Sequence, residues 1–196
     1  ADFTAEGWTG YTGSIFYTCY RGSSLDVTRT AAQTRDLLAD YLRISMPIAG
    51  TSITRQSDRR FEARTGNATS LRFDTPFTIR GISEQIETVE IYVSMTDLAI
   101  WGIDSADLGG CTWPLSMRSL AIRDFVASIL RDAEPMSSRV AAIVDTVLLR
   151  FALLVLDDGF PRDAVIADGP EHLRVAALSV IESQFASADL TPESVA

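Results

Sequence analysis

The stretch that decides the fold is DYLRISMPIAG, residues 40–50. Its side chains alternate between polar and apolar from Tyr41 to Met46. Because successive side chains of a β-strand point to opposite faces of the sheet, this alternation predicts a strand with one core face and one polar face. Pro47 has no amide hydrogen to donate to a neighbouring strand, so we expect it near an edge or a β-bulge.

Similar stretches surround this one. TSITR, RFEAR and TSLRF (51–55, 60–64 and 69–73) are separated by the turns QSDR and TGNA, and they predict a three-stranded meander. ETVEIYVSM (87–95) alternates in the same way as the first stretch. Short strands at this spacing predict an antiparallel sandwich or small barrel, which we assign to residues 1–114.

After Trp113–Pro114, the spacing of the apolar residues changes to that of an α-helix. We expect Pro114 near the first position of a helix that runs from Leu115 to about Asp132, where Glu134–Pro135 separates it from a second helix at 137–156. We assign residues 115–157 to a helical dimerisation segment.

The second helix is apolar on two sides and must be covered on both. One stripe steps by four and three residues and comprises Val140, Val144, Val147, Phe151 and Leu154. The other comprises Ala141, Leu148, Ala152 and Val155. Either both stripes pack within one protomer, or the first is the interface of a two-fold homodimer.

Composition limits the functions that are open to the chain. It has 17 Lys+Arg against 26 Asp+Glu, a net charge of -9, so this portion is not expected to hold DNA by itself. Cys19 and Cys111 are too far apart to indicate a disulfide framework or a zinc site, which fits a reducing cytoplasm. The apolar run Val147–Leu156 is too short for a bilayer span, so we expect no membrane partner.

Catalytic signatures are missing from the sequence. His172 is the single histidine, which excludes a metal site of two or three imidazoles, and no nucleophile elbow or phosphate-binding loop occurs. We therefore expect a protein that is not an enzyme, with no metal and no cofactor.

Binding is the function left for the β-rich half. Guanidinium groups beside aromatic walls suit a small acidic or aromatic ligand at the mouth of a barrel. The candidate pocket residues are Tyr41, Arg43, Arg55, Arg72, Tyr92 and Trp101. In the alternative, the arginines lie in solvent on the outer faces of their strands, paired with Glu62, Asp74 or Glu90.

The last part of the chain predicts a linker at 158–170 and then two helices. Leu173, Ala177 and Ile181 share one helical face, and Thr191–Pro192 is a typical start of a new helix.

The sequence from Ile181–Glu182 through Phe185 to 189–193 (DLTPE) and Val195–Ala196 resembles the AraC/XylS family of bacterial transcription regulators, at the start of their helix-turn-helix domain. Residues 39–81 are similar to the regulatory domain of that family, although Thr65–Ala68 replaces its usual P-G-D turn.

The resemblance implies an α+β fold: a cupin-like barrel, two packed dimerising helices, a linker and, at 171–196, the start of a truncated DNA-binding domain. It implies an effector-sensing, homodimeric regulator that contacts DNA only through residues beyond Ala196. A stand-alone cupin-like binding module or a metal-free enzyme is the alternative.

Overall fold

The computed structural model describes residues 4–12, 15–131 and 138–160. They all belong to the first of two units into which the chain divides, Ala1–Phe160. The predicted linker beyond residue 160, His172 and the resemblance to a helix-turn-helix lie outside the described residues.

The described residues form ten strands and three α-helices. In chain order they are β1 (Ala5–Thr12), β2 (Ile15–Ser23), β3 (Asp26–Arg29), β4 (Tyr41–Ala49), β5 (Thr51–Gln56), β6 (Arg59–Arg64), β7 (Asn67–Arg72), β8 (Phe77–Gly81), β9 (Gln85–Ser94), α1 (Met95–Ile100), β10 (Cys111–Pro114), α2 (Met117–Arg131) and α3 (Ser138–Gly159). No helix in this described part is long and apolar enough to cross a membrane.

Two antiparallel sheets form the barrel. Sheet A has the strand order β1-β2-β9-β4-β7-β10, and sheet B has the order β3-β8-β5-β6. Strand β4, whose side chains alternate between polar and apolar, lies between β9 and β7 in sheet A. Its pairing with β9 shifts register between Pro47 and Ala49, so the proline stands at a β-bulge, as predicted.

The two faces of sheet A have different environments. The apolar side chains of β4 and β9, such as Ile44 and Ile91, are fully buried in the main hydrophobic core together with side chains of α2 and α3. Their polar neighbours, such as Ser45 and Thr88, point to the other face, toward sheet B. The main core therefore lies between sheet A and the helices, and the space between the sheets is lined by both polar and apolar side chains.

Helix α3 buries one of its two apolar stripes fully and the other in part, since Val144 and Phe151 pack against the edge of the main core. Leu148, Ala152 and Val155 are buried in the main core.

Helix α2 is bound to sheet A by two arginines. Arg123 donates to the carbonyl of Pro47 at 3.1 Å, and Arg131 pairs with Glu87.

Two sequence-based expectations are wrong. The meander breaks after β6, because Thr65–Gly66 carries the chain from sheet B across to sheet A, where β7 pairs with β4 and β10. Pro114 ends β10 instead of beginning a helix, and α2 starts at Met117.

Asp158, the first residue of the predicted linker, instead joins the two long helices. It lies within α3, its side chain is 8% exposed, and its carboxylate accepts hydrogen bonds from the Ser116 amide at 2.9 Å and the Ser119 hydroxyl. It thus caps the first turn of α2 from another helix. Burial opposes ionisation, but these hydrogen bonds and the charge of Arg118 together hold the pKa of Asp158 below its usual value.

We expect Asp158→Asn to lower the free energy of unfolding by about 1–2 kcal/mol at pH 7, because the amide replaces an ionised cap. A carboxyl whose pKa is lowered on folding stabilises above its unfolded pKa and loses that effect as pH falls through the folded pKa. The difference between wild type and variant should therefore shrink below about pH 4. Urea denaturation at several pH values measures it, with the exposed turn variant Asp58→Asn as the control; a difference that does not change with pH would rule out the ionised cap.

Candidate functional site

A cavity of about 480 Å³ lies between the two sheets. Sheet A lines it with the polar faces of β2, β4 and β9, and sheet B lines it with side chains of β5 and β8. The sheet A residues include Thr18, Arg43, Ser45, Thr88, Glu90 and Tyr92, and the sheet B residues include Thr54, Phe77 and Ile79. Its volume is typical of a site for a small molecule.

A buried ion pair lies at the centre of the sheet A wall. The Arg43 guanidinium donates to Glu90 Oε1, and the two side chains are 12% and 13% exposed. Tyr92 donates its hydroxyl to Glu90 Oε2 at 2.6 Å, and the Thr18 hydroxyl lies 3.5 Å from the same oxygen. One carboxylate therefore holds three side chains from three adjacent strands.

The protonation states of this cluster follow from its burial. Burial disfavours the charged form of Arg43, but the adjacent Glu90 carboxylate outweighs it and raises the pKa of Arg43, so the guanidinium stays charged. Burial, then the charge of Glu90, raise the pKa of Tyr92 well above its usual value. Tyr92 is thus a permanent donor to Glu90 at physiological pH.

Arg43 retains one unused donor. Its Nε is buried and has no hydrogen-bond partner within the described residues. Leaving a buried donor unsatisfied costs about 1–3 kcal/mol, so such groups in native proteins call for an explanation. Arg43 is also one of the residues that line the cavity.

The other charges around the cavity are already paired. Arg29 donates to Asp36 and to the carbonyl of Phe73, and Glu87 is bound by arginines 21 and 131. Among the described residues that line the cavity, no charged side chain lacks an ion partner. The cavity therefore offers hydrogen bonds without a net charge.

Aromatic rings close one end of the barrel. Tyr92 stacks on Phe16 with ring centroids 3.8 Å apart, and Phe73 meets both Tyr92 and Phe77 edge to face. These rings form a smaller hydrophobic cluster with Leu71. The cavity thus combines a hydrogen-bonding wall with an apolar end.

The structure places only two of the six candidate pocket residues in the wall of the cavity. Arg43 and Tyr92 line the cavity. The other four lie outside its wall: Tyr41 packs on the ring of Phe16, Arg55 is exposed on the outer face of sheet B, Arg72 pairs with Asp74, and Trp101 packs against the main core after α1. They separate because residues adjacent along a strand point to opposite faces and because the cavity spans only part of the barrel.

The candidate dimer residues are unevenly exposed. Val144, Val147 and Phe151 are half-buried, Leu154 is 37% exposed, and the side chain of Val140 lies outside the described part. Phe125 of α2, which is 47% exposed, packs edge to face on Phe151 and extends this surface. Dimerisation through it stays a prediction.

Sequence reasoning missed two residues that the structure makes central. Glu90 was considered only as a partner for arginines in solvent, and Asp158 as a linker charge. The signal for Glu90 was present, since it shares the polar face of β9 with Thr88 and Tyr92. Asp158 had no such signal, because its partners lie 39 and 42 residues earlier.

The described residues contain no cluster of three or more His, Cys, Asp or Glu side chains that could hold a metal ion. The chemistry visible in the cavity is hydrogen bonding by hydroxyls, two guanidinium groups and two carboxylates, which belong to Arg29, Arg43, Glu87 and Glu90.

Comparisons by sequence find nothing: no protein-family model and no curated protein matches the chain. Comparison by structure finds the crystal structure of the AraC-like transcriptional activator CuxR, with a TM-score of 0.65 at 16% identity over 98% of this chain and 69% of that one. The fold class is the predicted one.

Smaller likenesses include a cupin superfamily protein from Desulfitobacterium hafniense DCB-2, with a TM-score of 0.37 at 6% identity, covering 46% of this chain and 78% of that one. The cupin domain of Cnp3 from Schizosaccharomyces pombe has a TM-score of 0.38 at 6% identity, covering 53% and 71%. The chain is an α+β protein in which an antiparallel barrel of two sheets is followed by two packed helices. At these identities the likeness concerns the fold alone.

Proposed function

We propose that this chain is the effector-sensing and dimerising part of an AraC/XylS-type transcription regulator. It would act in the cytoplasm without catalysing a reaction, and would control DNA binding by a C-terminal double helix-turn-helix domain. The observation that best supports effector sensing is the cavity between the sheets, which Arg43, Glu90 and Tyr92 line. The resemblance at 181–196 supports the link to DNA.

The effector that fits this cavity is a small uncharged molecule. An anion would have to compete with Glu90 for Arg43, and a cation would have to compete with Arg43 for Glu90. A neutral ligand with an acceptor atom for Arg43 Nε leaves the ion pair intact. Its apolar part would face the rings of Phe73 and Phe77.

The dimer would form through the outer stripe of α3. Leu148 and Val155 are fully used by the core of the protomer, and Phe151 packs against it in part. Val147, Leu154 and the exposed part of Phe151 therefore remain for a partner. A ligand could then change DNA binding by favouring one arrangement of the barrel and helices over another.

A thermal-shift screen of uncharged metabolites tests the sensing function. A ligand at 100 times its dissociation constant stabilises by about 2.7 kcal/mol, which should raise the Tm by about 5–10 °C. Arg43→Lys keeps the charge beside Glu90 but removes Nε, so it should abolish most of that shift. Arg35→Lys, at an exposed position, is the matched control and should respond like wild type.

A ligand that shifts wild type and Arg43→Lys equally would show that it binds elsewhere. For the regulatory function, the full-length gene product is mixed with promoter fragments of its own operon in a mobility-shift assay, with and without the ligand. We expect an affinity change of about 5- to 150-fold. A ligand that binds without altering DNA affinity would favour the stand-alone binding module.

A further inference from the structure

The hairpin of β5 and β6 brings two arginines together on the outside of the barrel. Arg55 and Arg60 are direct cross-strand partners, and both are exposed. The hairpin closes with Gln56 opposite Arg59 around a two-residue turn. Arg55 and Arg60 therefore form the next pair, which in such a hairpin is a non-hydrogen-bonded pair with close side chains. Two like charges at such a position destabilise the sheet.

Nothing in the described part of the protein compensates this pair. Neither arginine has a hydrogen bond or an ion pair there. The next row of cross-strand neighbours on the same face carries charges of both signs. In that row Arg80 lies directly opposite Asp26, and Glu62 lies on the far side of Ile53. An uncompensated arginine pair in a chain with a net charge of -9 favours an anionic partner.

Hydroxyl groups continue the row of the two arginines. Thr78 of β8 lies opposite Arg55, and Thr28 of β3 lies opposite Thr78. Beside them is an open groove of about 480 Å³, lined by Arg55, Thr78, Thr30, Ser57 and Pro76 among others. The surface thus presents guanidinium groups and hydroxyl donors next to space for a small molecule.

We propose that this surface binds the phosphate group of a small phosphate monoester between Arg55 and Arg60, with the rest of the molecule in the groove. At pH 7 such a phosphate has a charge of about -1.5 to -2 and three acceptor oxygens. It therefore neutralises both guanidinium groups, whereas a carboxylate neutralises one. Guanidinium groups bind phosphate through paired hydrogen bonds, which suits two arginines that face one anion.

The two arginines of this site do not line the cavity. Arg55 and Arg60 lie on the outer face of sheet B, whereas Thr54 on the inner face lines the cavity. The groove shares Thr28, Arg29 and Phe77 with the lining of the cavity, so the arginine variants are what test the phosphate site separately from the proposed effector.

Isothermal titration of this chain with phenyl phosphate and with benzoate tests the proposal, since the two share a ring and differ in the charge of the anionic group. We expect phenyl phosphate to bind at least about tenfold more tightly than benzoate, and Arg60→Gln to weaken it by about tenfold or more. Arg64→Gln is the matched control: it removes the same charge from the same strand but lies opposite Thr51, outside the row. Its affinity should stay within about twofold of wild type.

A second measurement needs no ligand. Because Arg60→Gln relieves the repulsion of Arg55, the free variant should have a higher Tm than wild type at low salt, and a Tm that phenyl phosphate no longer raises. Equal losses of affinity in Arg60→Gln and Arg64→Gln would show that general surface charge binds the phosphate, and would overturn the proposal. Equal affinities for benzoate and phenyl phosphate, or no binding of phenyl phosphate, would overturn it as well.

Discussion

Replacing Glu90 by alanine is expected to lower the free energy of unfolding by about 3–5 kcal/mol, the largest effect of any single change considered. The substitution leaves the Arg43 guanidinium charged and unpaired inside the barrel, and it removes the acceptor of Tyr92 as well. Urea denaturation followed by circular dichroism measures the loss.

The size of this effect depends on burial, and a second ion pair provides the comparison. Arg72 and Asp74 form a bidentate pair, but their side chains are 24% and 32% exposed. Asp74→Asn should therefore cost about 1 kcal/mol or less. The double variant Arg43→Met/Glu90→Leu, which removes both charges, should recover much of the stability lost in Glu90→Ala. If Glu90→Ala lowers the free energy of unfolding by no more than Asp74→Asn does, water in the cavity solvates the unpaired guanidinium, and Arg43 does not need Glu90 as its partner.

The double variant Phe125→Glu/Leu154→Glu is expected to convert a homodimer into a folded monomer. Both side chains are partly exposed in the protomer, so charges there should leave the core intact. At the centre of an interface, apolar anchors contribute about 2 kcal/mol each, so the dissociation constant should rise by about 100-fold or more. Sedimentation velocity at micromolar concentration measures the change in mass, and circular dichroism verifies the fold.

The control for the dimer is Leu37→Glu. Leu37 is 95% exposed and lies in the loop before β4, away from the helices, so the same chemical change there should leave the mass of the dimer unchanged. A wild-type monomer, or a dimer that persists in Phe125→Glu/Leu154→Glu, would assign the exposed stripe to a different partner or to none.

Local periodicity predicted the elements well, for a physical reason. The alternation in β4 and β9 follows from backbone geometry, which places successive side chains on opposite faces whatever surrounds the sheet. In the same way, the spacing of Leu148, Ala152 and Val155 placed one side of α3 against a core. The β6 to β7 connection was mispredicted, because the same turn sequence suits a hairpin within one sheet and a crossing between two.

The candidate site was predicted only in part. Arg43 and Tyr92 lie on polar faces that the alternation identified, but the alternation could not reveal that sheet B covers that face. The sequence therefore left open whether these side chains line a pocket or lie in solvent, where Glu90 would have been a surface charge. Its burial makes the pair with Arg43 the centre of the cavity.

The sequence by itself determined strands β4 to β7 and β9, the two long helices, and the apolar and polar faces of β4 and β9. The tertiary structure decided that the polar face lines a cavity, that Asp158 caps α2, and that Arg55 and Arg60 share one cross-strand row. The reason is sequence distance: Arg43 and Glu90 are 47 residues apart, and Asp158 and Ser116 are 42 apart. Short-range spacing indicates which way a side chain points, but only the packing of distant segments decides what it meets there.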